Sequence, residues 1–212
     1  GAALKVEVSL RPTWIASGEK TNITVRVTSN GTGIDGATIA LSANASGSFG
    51  SVVSLGSGYY GATFTPALTM NASGGTASVA ILAKASKVGY VSGAGQAPLK
   101  VSPRIVVAIK APWDTLAVGQ SMDLTAYATV SGSPLANASV AATTSTGGSI
   151  SATSGTTDSA GSWKTAFKPL SSAGGTTVTV TIDVNKNGFI PGSAIVAIYV
   201  VPSALSADSK AT

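Results

Sequence analysis

The chain has no cysteine and no histidine among its 212 residues, and only 10% of them are charged. The missing residue types exclude disulfides, thiol catalysis, cysteine–histidine zinc sites and imidazole acid–base chemistry. No apolar run approaches the roughly 18 residues of a membrane-spanning helix, so we expect no direct membrane insertion. The chain begins at Gly1 with neither an initiator Met nor a charged-then-apolar leader, as expected of a mature segment or an excised fragment.

Positive charge is present but dilute. The net charge is +5, carried by thirteen lysines and arginines that are scattered along the chain without a cluster. Binding to a phosphate backbone requires concentrated positive charge, usually interleaved with aromatic residues. We therefore expect no nucleic-acid partner.

Apolar residues make up 44% of the chain and recur with a spacing of two. Runs such as LKVEVSL at 4–10 alternate apolar and polar side chains, which is typical of strands with one buried face. Turn residues separate such runs, and no window indicates an amphipathic helix. Strands are predicted in the first half near 4–10, 21–28, 37–42, 51–55, 59–65, 76–84 and 97–102. This density of short strands predicts an all-β fold of immunoglobulin-like sandwiches with about seven strands each.

The two halves of the chain repeat each other. GGTASVAILAKASKVGYVSGAG at 74–95 matches GGTTVTVTIDVNKNGFIPGSA at 174–194, and ATFTPA at 62–67 matches TAFKPL at 165–170. Ser102-Pro103 separates the halves, because proline holds the preceding residue extended and cannot continue a strand ladder. The sequence predicts two tandem sandwiches, at 1–102 and 103–202, followed by a flexible tail at 203–212.

The second half contains AVGQSMDLTAYAT, PLANASVAAT, TTDSAGSWKTAFKP and TVTVTIDVNKNGF. These stretches resemble the immunoglobulin-like repeats of bacterial and archaeal surface adhesins such as invasin and intimin. In such repeats an early glycine, here Gly18 or Gly119, lies in the turn between the first two strands, and a Thr-Asp turn corresponds to 157–161. The first half departs there, reading LGSGYYGATF without an aspartate. The resemblance implies the fold and an extracellular, cell-surface location, and it does not imply catalysis.

The segment DVNKNGFIPGSA at 183–194 begins like a calcium-binding loop. The equivalent loop of the first half has Lys84 where the second has Asp183, and it offers none of the oxygen ligands. A helix–loop–helix calcium site also needs a glutamate at loop position 12, where Ala194 stands. We expect a structural turn whose glycines supply positive φ. The alternative is a weak calcium site with Asp183, Asn185 and Asn187 as ligands and the remaining ligand from elsewhere. No other cofactor is expected.

Five of the seven asparagines lie in Asn-x-Ser/Thr sequons. One interpretation is a set of N-glycan acceptors on exposed turns and strand ends, which would make the chain a glycoprotein. The other is that Asn, Ser and Thr are all turn residues and co-occur for that reason. The candidates are Asn22, Asn30, Asn44, Asn71 and Asn137.

Tryptophan offers a flat apolar face on which a sugar ring stacks. Trp14, Trp113 and Trp163 are the candidates for such carbohydrate contacts. Trp14 and Trp113 each follow a proline near the end of a first strand, and this symmetry indicates packing at a domain edge instead. Both interpretations stay open at the level of sequence.

The eight acidic residues form no tight local constellation of the kind a glycosidase needs. Serine is abundant, but there is no G-x-S-x-G elbow and no histidine base. We therefore predict no enzymatic activity.

The sequence predicts a structural or adhesive segment of a secreted or cell-surface prokaryotic protein, as a stalk, a surface-layer component or part of a fibre. A short Ser-Pro join is expected to limit bending in a stalk. Expected partners are other surface proteins, neighbouring repeats or extracellular polysaccharide. The alternative is a carbohydrate-binding or spacer module of a larger secreted enzyme.

Overall fold

The computed structural model describes residues 1–203 and consists mainly of strands joined by turns and loops. The chain divides after Pro103 into two compact units. Within the described residues the helical structure is one short 3-10 segment at Ser171–Ala173, and no helix there is long and apolar enough to cross a membrane. The all-β prediction is confirmed. The tail predicted at 203–212 lies, apart from Ser203, outside the described residues.

The first unit has ten strands, three of which have only two or three residues. They are β1 Lys5–Arg11, β2 Trp14–Ile15, β3 Thr21–Ser29, β4 Thr32–Gly33, β5 Thr38–Ala43, β6 Gly47–Phe49, β7 Val53–Gly56, β8 Tyr59–Pro66, β9 Ala77–Ser86 and β10 Gly93–Val101.

These strands form two sheets. One has the order β1-β3-β8-β6, with β4 and β7 added to β3 and β8, and the other has the order β2-β10-β9-β5. The core consists of inward-facing side chains of both sheets, with Val25 and Phe64 from one and Ile81 and Leu99 from the other. All pairings in the two sheets are antiparallel except that of β2 with β10. Two mainly antiparallel sheets packed over a shared apolar core are the arrangement of an immunoglobulin-like sandwich.

The second unit repeats this plan with ten strands. They are β11 Val106–Lys110, β12 Thr115–Ala117, β13 Met122–Val130, β14 Ser133–Pro134, β15 Ser139–Thr144, β16 Gly148–Ile150, β17 Ser154–Thr156, β18 Ser162–Pro169, β19 Thr177–Asn185 and β20 Gly192–Val201.

The two units differ in one strand. The sheets of the second unit have the orders β11-β13-β18-β16, with β14 added to β13, and β12-β20-β19-β15-β17. In the first unit β7 pairs with β8, whereas β17, which occupies the same place in the chain, pairs with β15 of the opposite sheet. The first unit therefore leaves β5 at an open end of its sheet.

Candidate functional site

The segment at 183–194 comprises the end of β19, a hairpin turn at 186–191 and the start of β20. The Phe189 N–H donates to the Lys186 carbonyl over 3.1 Å, and Gly188 has a φ of +83°. The first unit builds the same turn, with the Tyr90 N–H donating to the Lys87 carbonyl over 3.1 Å and Gly89 at a φ of +88°. A positive φ costs glycine little, which explains the residue at this point of both turns.

A lysine clamps each of these turns. Lys186 Nζ donates to the Ala136 carbonyl over 2.7 Å and lies 5.8 Å from the centre of the Phe189 ring. Lys87 Nζ likewise donates to the Asp35 carbonyl and lies 5.9 Å from the centre of the Tyr90 ring. We call this pair of lysine contacts the clamp. Because it is repeated in both halves, the conformation of the turn is explained without a bound metal ion.

Replacing Lys186 with methionine is expected to lower the free energy of unfolding of the second unit by about 1 kcal/mol. The change keeps most of the aliphatic chain but removes a charged hydrogen bond and a cation–π contact. Chemical denaturation measures the effect, with Lys168→Met, at an exposed position of β18, as the control for loss of charge. Equal stability of the two variants would contradict the clamp.

The three candidate calcium ligands are exposed but do not share one pocket. Asp183 and Asn185 lie on β19 and Asn187 in the turn. Asn185 and Asn187 line a cleft of about 600 Å³ with Asn137, Ser139 and Lys186, and Asp183 does not line it. Among residues 1–203 there is no group of three acidic, cysteine or histidine side chains placed to hold a metal. The weak calcium site stays a prediction, opposed by the lysine in the cleft.

Millimolar calcium is expected to leave the melting temperature of the second unit unchanged. A ligand at free concentration L that binds only the folded state stabilises it by RT ln(1 + L/Kd), so calcium would raise the melting temperature if its Kd lay near or below the concentration used. Thermal melts with calcium and with chelator make the comparison. A calcium-dependent rise that Asp183→Asn abolishes would establish the site.

All five sequon asparagines are exposed. Asn30 and Asn137 have φ values of +51° and +55°, which are typical of asparagine in turns. Two others use the side-chain oxygen locally: Asn44 Oδ1 accepts from the Ala80 N–H, and Asn71 Oδ1 accepts from the Ser73 N–H. Glycan attachment occurs at the amide nitrogen, so these contacts leave the acceptor atom available. Glycosylation stays a prediction.

Trp163 does not fit the role of a sugar platform. It lies on β18 with only 8% of its surface exposed, and a side chain at Gly155 would collide with its indole. It is the counterpart of buried Tyr60, whose hydroxyl donates to the Ile34 carbonyl. Sequence alone did not reveal that this position is a core position in both units.

The Trp14 side chain is engaged by contacts within the first unit. Its Nε1–H donates to Ser102 Oγ over 2.9 Å, and Lys100 Nζ lies 4.5 Å from the ring centre. One ring face is therefore covered and the polar atom engaged. This agrees with packing at a domain edge.

Trp113 is the most exposed of the three tryptophans, at 60%. It borders a cleft of about 370 Å³ with Thr115, Leu116, Gln120 and Ser121. The Gln120 side chain is fixed there, because its Oε1 accepts from the Ala117 N–H over 3.1 Å. The cleft thus combines an open aromatic face with polar groups at its rim.

A carboxylate caps the same turn in both units, but from different places in the sequence. Asp158 accepts from the backbone N–H groups of Ala160 and Ser162, each over 2.9 Å. In the first unit Asp35, which precedes β5, reaches the N–H of Gly58 over 2.7 Å and that of Ser57 over 3.2 Å. The missing aspartate of the first half is thus supplied from a distant position, which its sequence did not signal.

Hydrogen bonds from the Ser162 hydroxyl and N–H lower the pKa of Asp158 below its ordinary 3.8. A group whose folded pKa is depressed stabilises the fold above its ordinary value and loses that contribution as the pH falls through the lowered one. This cap therefore operates at neutral pH and fails only in acid.

Ion pairing with Lys5 similarly lowers the pKa of exposed Glu7.

No charged side chain of the described residues is buried; the buried polar side chains there are all serine or threonine. A carboxyl acquires a catalytic pKa mainly through burial or a like-charged neighbour. Among the described acidic residues, Glu19 is half-buried and the others are exposed: Glu7, Asp35, Asp114, Asp123, Asp158 and Asp183. Asp208 lies outside the described residues.

No protein-family model and no curated protein matches the chain. Solved structures do. A 282-residue C-terminal fragment of intimin, in complex with the intimin-binding domain of the translocated intimin receptor, is 14% identical with a TM-score of 0.52, over 95% of this chain and 65% of that one.

Two further structures are adhesins with lower structural overlap. The adhesin FdeC of Escherichia coli is 20% identical with a TM-score of 0.45, over 95% of this chain and 65% of that one. The adhesin InvE of Yersinia pseudotuberculosis is 18% identical with a TM-score of 0.36, over 92% and 58%. The chain thus spans less than two thirds of each of these structures. The likeness to the intimin fragment supports the immunoglobulin-like fold.

Proposed function

We propose that the chain is a non-catalytic structural or adhesive segment of a secreted or cell-surface prokaryotic protein, as a stalk, surface-layer or fibre component. The proposal rests on the interiors of the two units, where the described buried side chains are packed together and none is charged. Every described aspartate, glutamate, lysine and arginine is at least partly exposed, and the repeated polar contacts serve turns. A segment of this kind works by keeping its shape.

The outward faces of the sheets suit an exported structural segment. On β19 the outward side chains of Thr177, Thr179 and Thr181 are short, uncharged and hydrogen-bonding. Such a surface is well solvated without carrying a strong field. The fold that this chain shares with the receptor-bound intimin fragment adds support for a protein partner at an exposed loop or edge.

Antibodies raised against residues 1–203 test the location. On intact cells that make the protein naturally, we expect antibody labelling and loss of the epitope on brief protease treatment. Labelling that appears only after the cells are broken would overturn the proposal.

Mass spectrometry of the same material tests the five sequons, where we expect added glycan mass if the host glycosylates its exports.

A carbohydrate-binding module is the second candidate, favoured by the cleft beside Trp113. In that case Trp113→Ala abolishes retention of the chain on insoluble polysaccharides, because stacking on the indole face is lost. Leu55→Ala, at an exposed apolar position of the first unit, is the matched control. If the unaltered chain is not retained, or Trp113→Ala is retained equally, this candidate is excluded.

A further inference from the structure

The strand β5 is an unprotected sheet edge. Its sequence, TIALSA, contains no charge, glycine or proline, and it pairs on one side with β9 and is the last strand of its sheet. Proteins usually protect edge strands with charges, prolines, bulges or short lengths, because open edges recruit other strands.

The other sheet ends in the described part of the chain are protected. β1 carries Lys5, Glu7 and Arg11. β11 ends in Lys110, and β7, which has a register irregularity, ends in Gly56. The remaining end strands, β2, β6, β12, β16 and β17, have two or three residues each. Only β5 combines length with an absence of protective residues.

In the second unit the equivalent edge is covered by another strand. Its equivalent strand β15 is covered by β17 in antiparallel pairing, with Ala141 opposite Ser154 and the Ala142 N–H donating to the Thr153 carbonyl over 2.8 Å. Under this cover the side chains of Val140 and Ala142 are only 2% and 3% exposed. Their counterparts Ile39 and Leu41 remain partly exposed at the open edge.

The pairing pattern fixes which backbone groups are free. The Asn44 N–H donates to the Ala80 carbonyl on β9. Because backbone groups alternate sides along an antiparallel strand, those of Ser42 and Ala40 also face β9. The N–H and C=O groups of Ile39, Leu41 and Ala43 therefore face away from β9, as those of Ala142 face β17 in the second unit.

We propose that β5 pairs antiparallel with β5 of a second copy of this chain. A two-fold axis at Leu41 sets Leu41 opposite its counterpart and Ile39 opposite Ala43 of the second copy. All three outward-facing residues then form hydrogen-bonded pairs, which satisfies every free backbone group of both strands. On the core face the pairing places Ile39 opposite the smaller Ala43 and the two copies of Leu41 opposite each other, and it covers Ile39 and Leu41.

No repulsion between charged residues of β5 opposes the pairing of two identical strands. Neither copy brings a charged residue of β5 to the contact. On the neighbouring strand β9, Lys84 lies opposite Ala40. Two copies of Lys84 would be about three strand spacings apart, roughly 14 Å, which exceeds the screening length of about 8 Å at physiological ionic strength. The proposal goes beyond the proposed function, because none of the roles as a stalk, surface-layer or fibre component specifies that two copies pair through β5.

Sedimentation equilibrium of the unglycosylated chain tests the pairing. We expect a concentration-dependent dimer, and we expect Ala40→Lys with Ser42→Lys to weaken it at least about tenfold, because like charges would then lie directly opposite each other. The matched control is Ala141→Lys with Thr143→Lys, at the equivalent exposed positions of the covered strand β15. A chain that is monomeric at every concentration, or a dimer that both double variants weaken equally, would overturn the proposal.

Cysteine cross-linking tests the register without relying on the lysine variants. In the proposed register Ala40 and Ser42 of one copy face Ser42 and Ala40 of the other as non-hydrogen-bonded pairs, whose Cα separation of about 4.5 Å suits a disulfide. The chain has no native cysteine. Ala40→Cys with Ser42→Cys should form disulfide-linked dimers on mild oxidation, whereas Ala141→Cys with Thr143→Cys should not. Equal cross-linking of the two, or none in either, would contradict the register and the proposal.

Discussion

Replacing Phe167 with alanine is expected to lower the free energy of unfolding of the second unit by about 3–5 kcal/mol. Phe167 lies on β18, fully buried between Met122 of β13 and Ile150 of β16. Removing its ring leaves a cavity, because the surrounding core relaxes only partly around a deleted side chain. The transition of the first unit should stay where it is, because we propose that the units fold independently.

Scanning calorimetry measures both effects in one chain. Phe64→Ala is the matched variant, since Phe64 is the fully buried counterpart on β8 and packs 4.7 Å from the Phe49 ring centre. It should shift only the transition of the first unit. A single transition that moves as a whole in both variants would show that the chain unfolds as one cooperative body and that the proposed domains are wrong.

Replacing Gly161 with alanine is expected to destabilise the second unit by about 2 kcal/mol or more. Gly161 has a φ of +72°, a conformation that costs other residues about 1–2 kcal/mol. An added Cβ would also lie 2.5 Å from the Ala128 carbonyl oxygen. Strain and collision act together at the turn that Asp158 caps.

Gly119→Ala separates these two causes. Gly119 has a φ of +88°, and an added Cβ there meets nothing within 4 Å. We expect this control to lose only the conformational part, about 1 kcal/mol. Urea titrations of the two variants give the comparison, and equal losses would mean that the contact with Ala128 contributes nothing.

Strand existence was predictable, because alternation of apolar residues reports directly on a half-buried strand. Each predicted strand of the first half has a counterpart in the structure. The short strands β2, β4 and β6 were not predicted, and the largest boundary error is at β10, predicted at 97–102 and observed from Gly93. The glycines there resemble a turn, but side chains at Gly93 and Gly95 would collide with the carbonyl oxygens of Leu4 and Val6. They permit a close approach to β1, which only the fold reveals.

Pairing partners and caps were not predictable. A short strand was predicted near β7, and the repeat implies one at the same place in the second half. The two strands β7 and β17 nevertheless join opposite sheets, and this choice depends on contacts distant in sequence. Asp35 caps its turn from a position that no local pattern connects to Gly58. Trp163 was a candidate sugar contact because a tryptophan can either stack on a sugar ring or pack in a core. Its burial, which the sequence did not reveal, distinguishes the two roles.

The coding sequence on either side of this segment tests the central claim, that the chain is a passive segment of an exported surface protein. We expect an export leader upstream, and further sandwich repeats or a surface anchor in a flank. A catalytic domain in either flank would contradict the account and make the two sandwiches accessory modules, with the cleft beside Trp113 as their first candidate site.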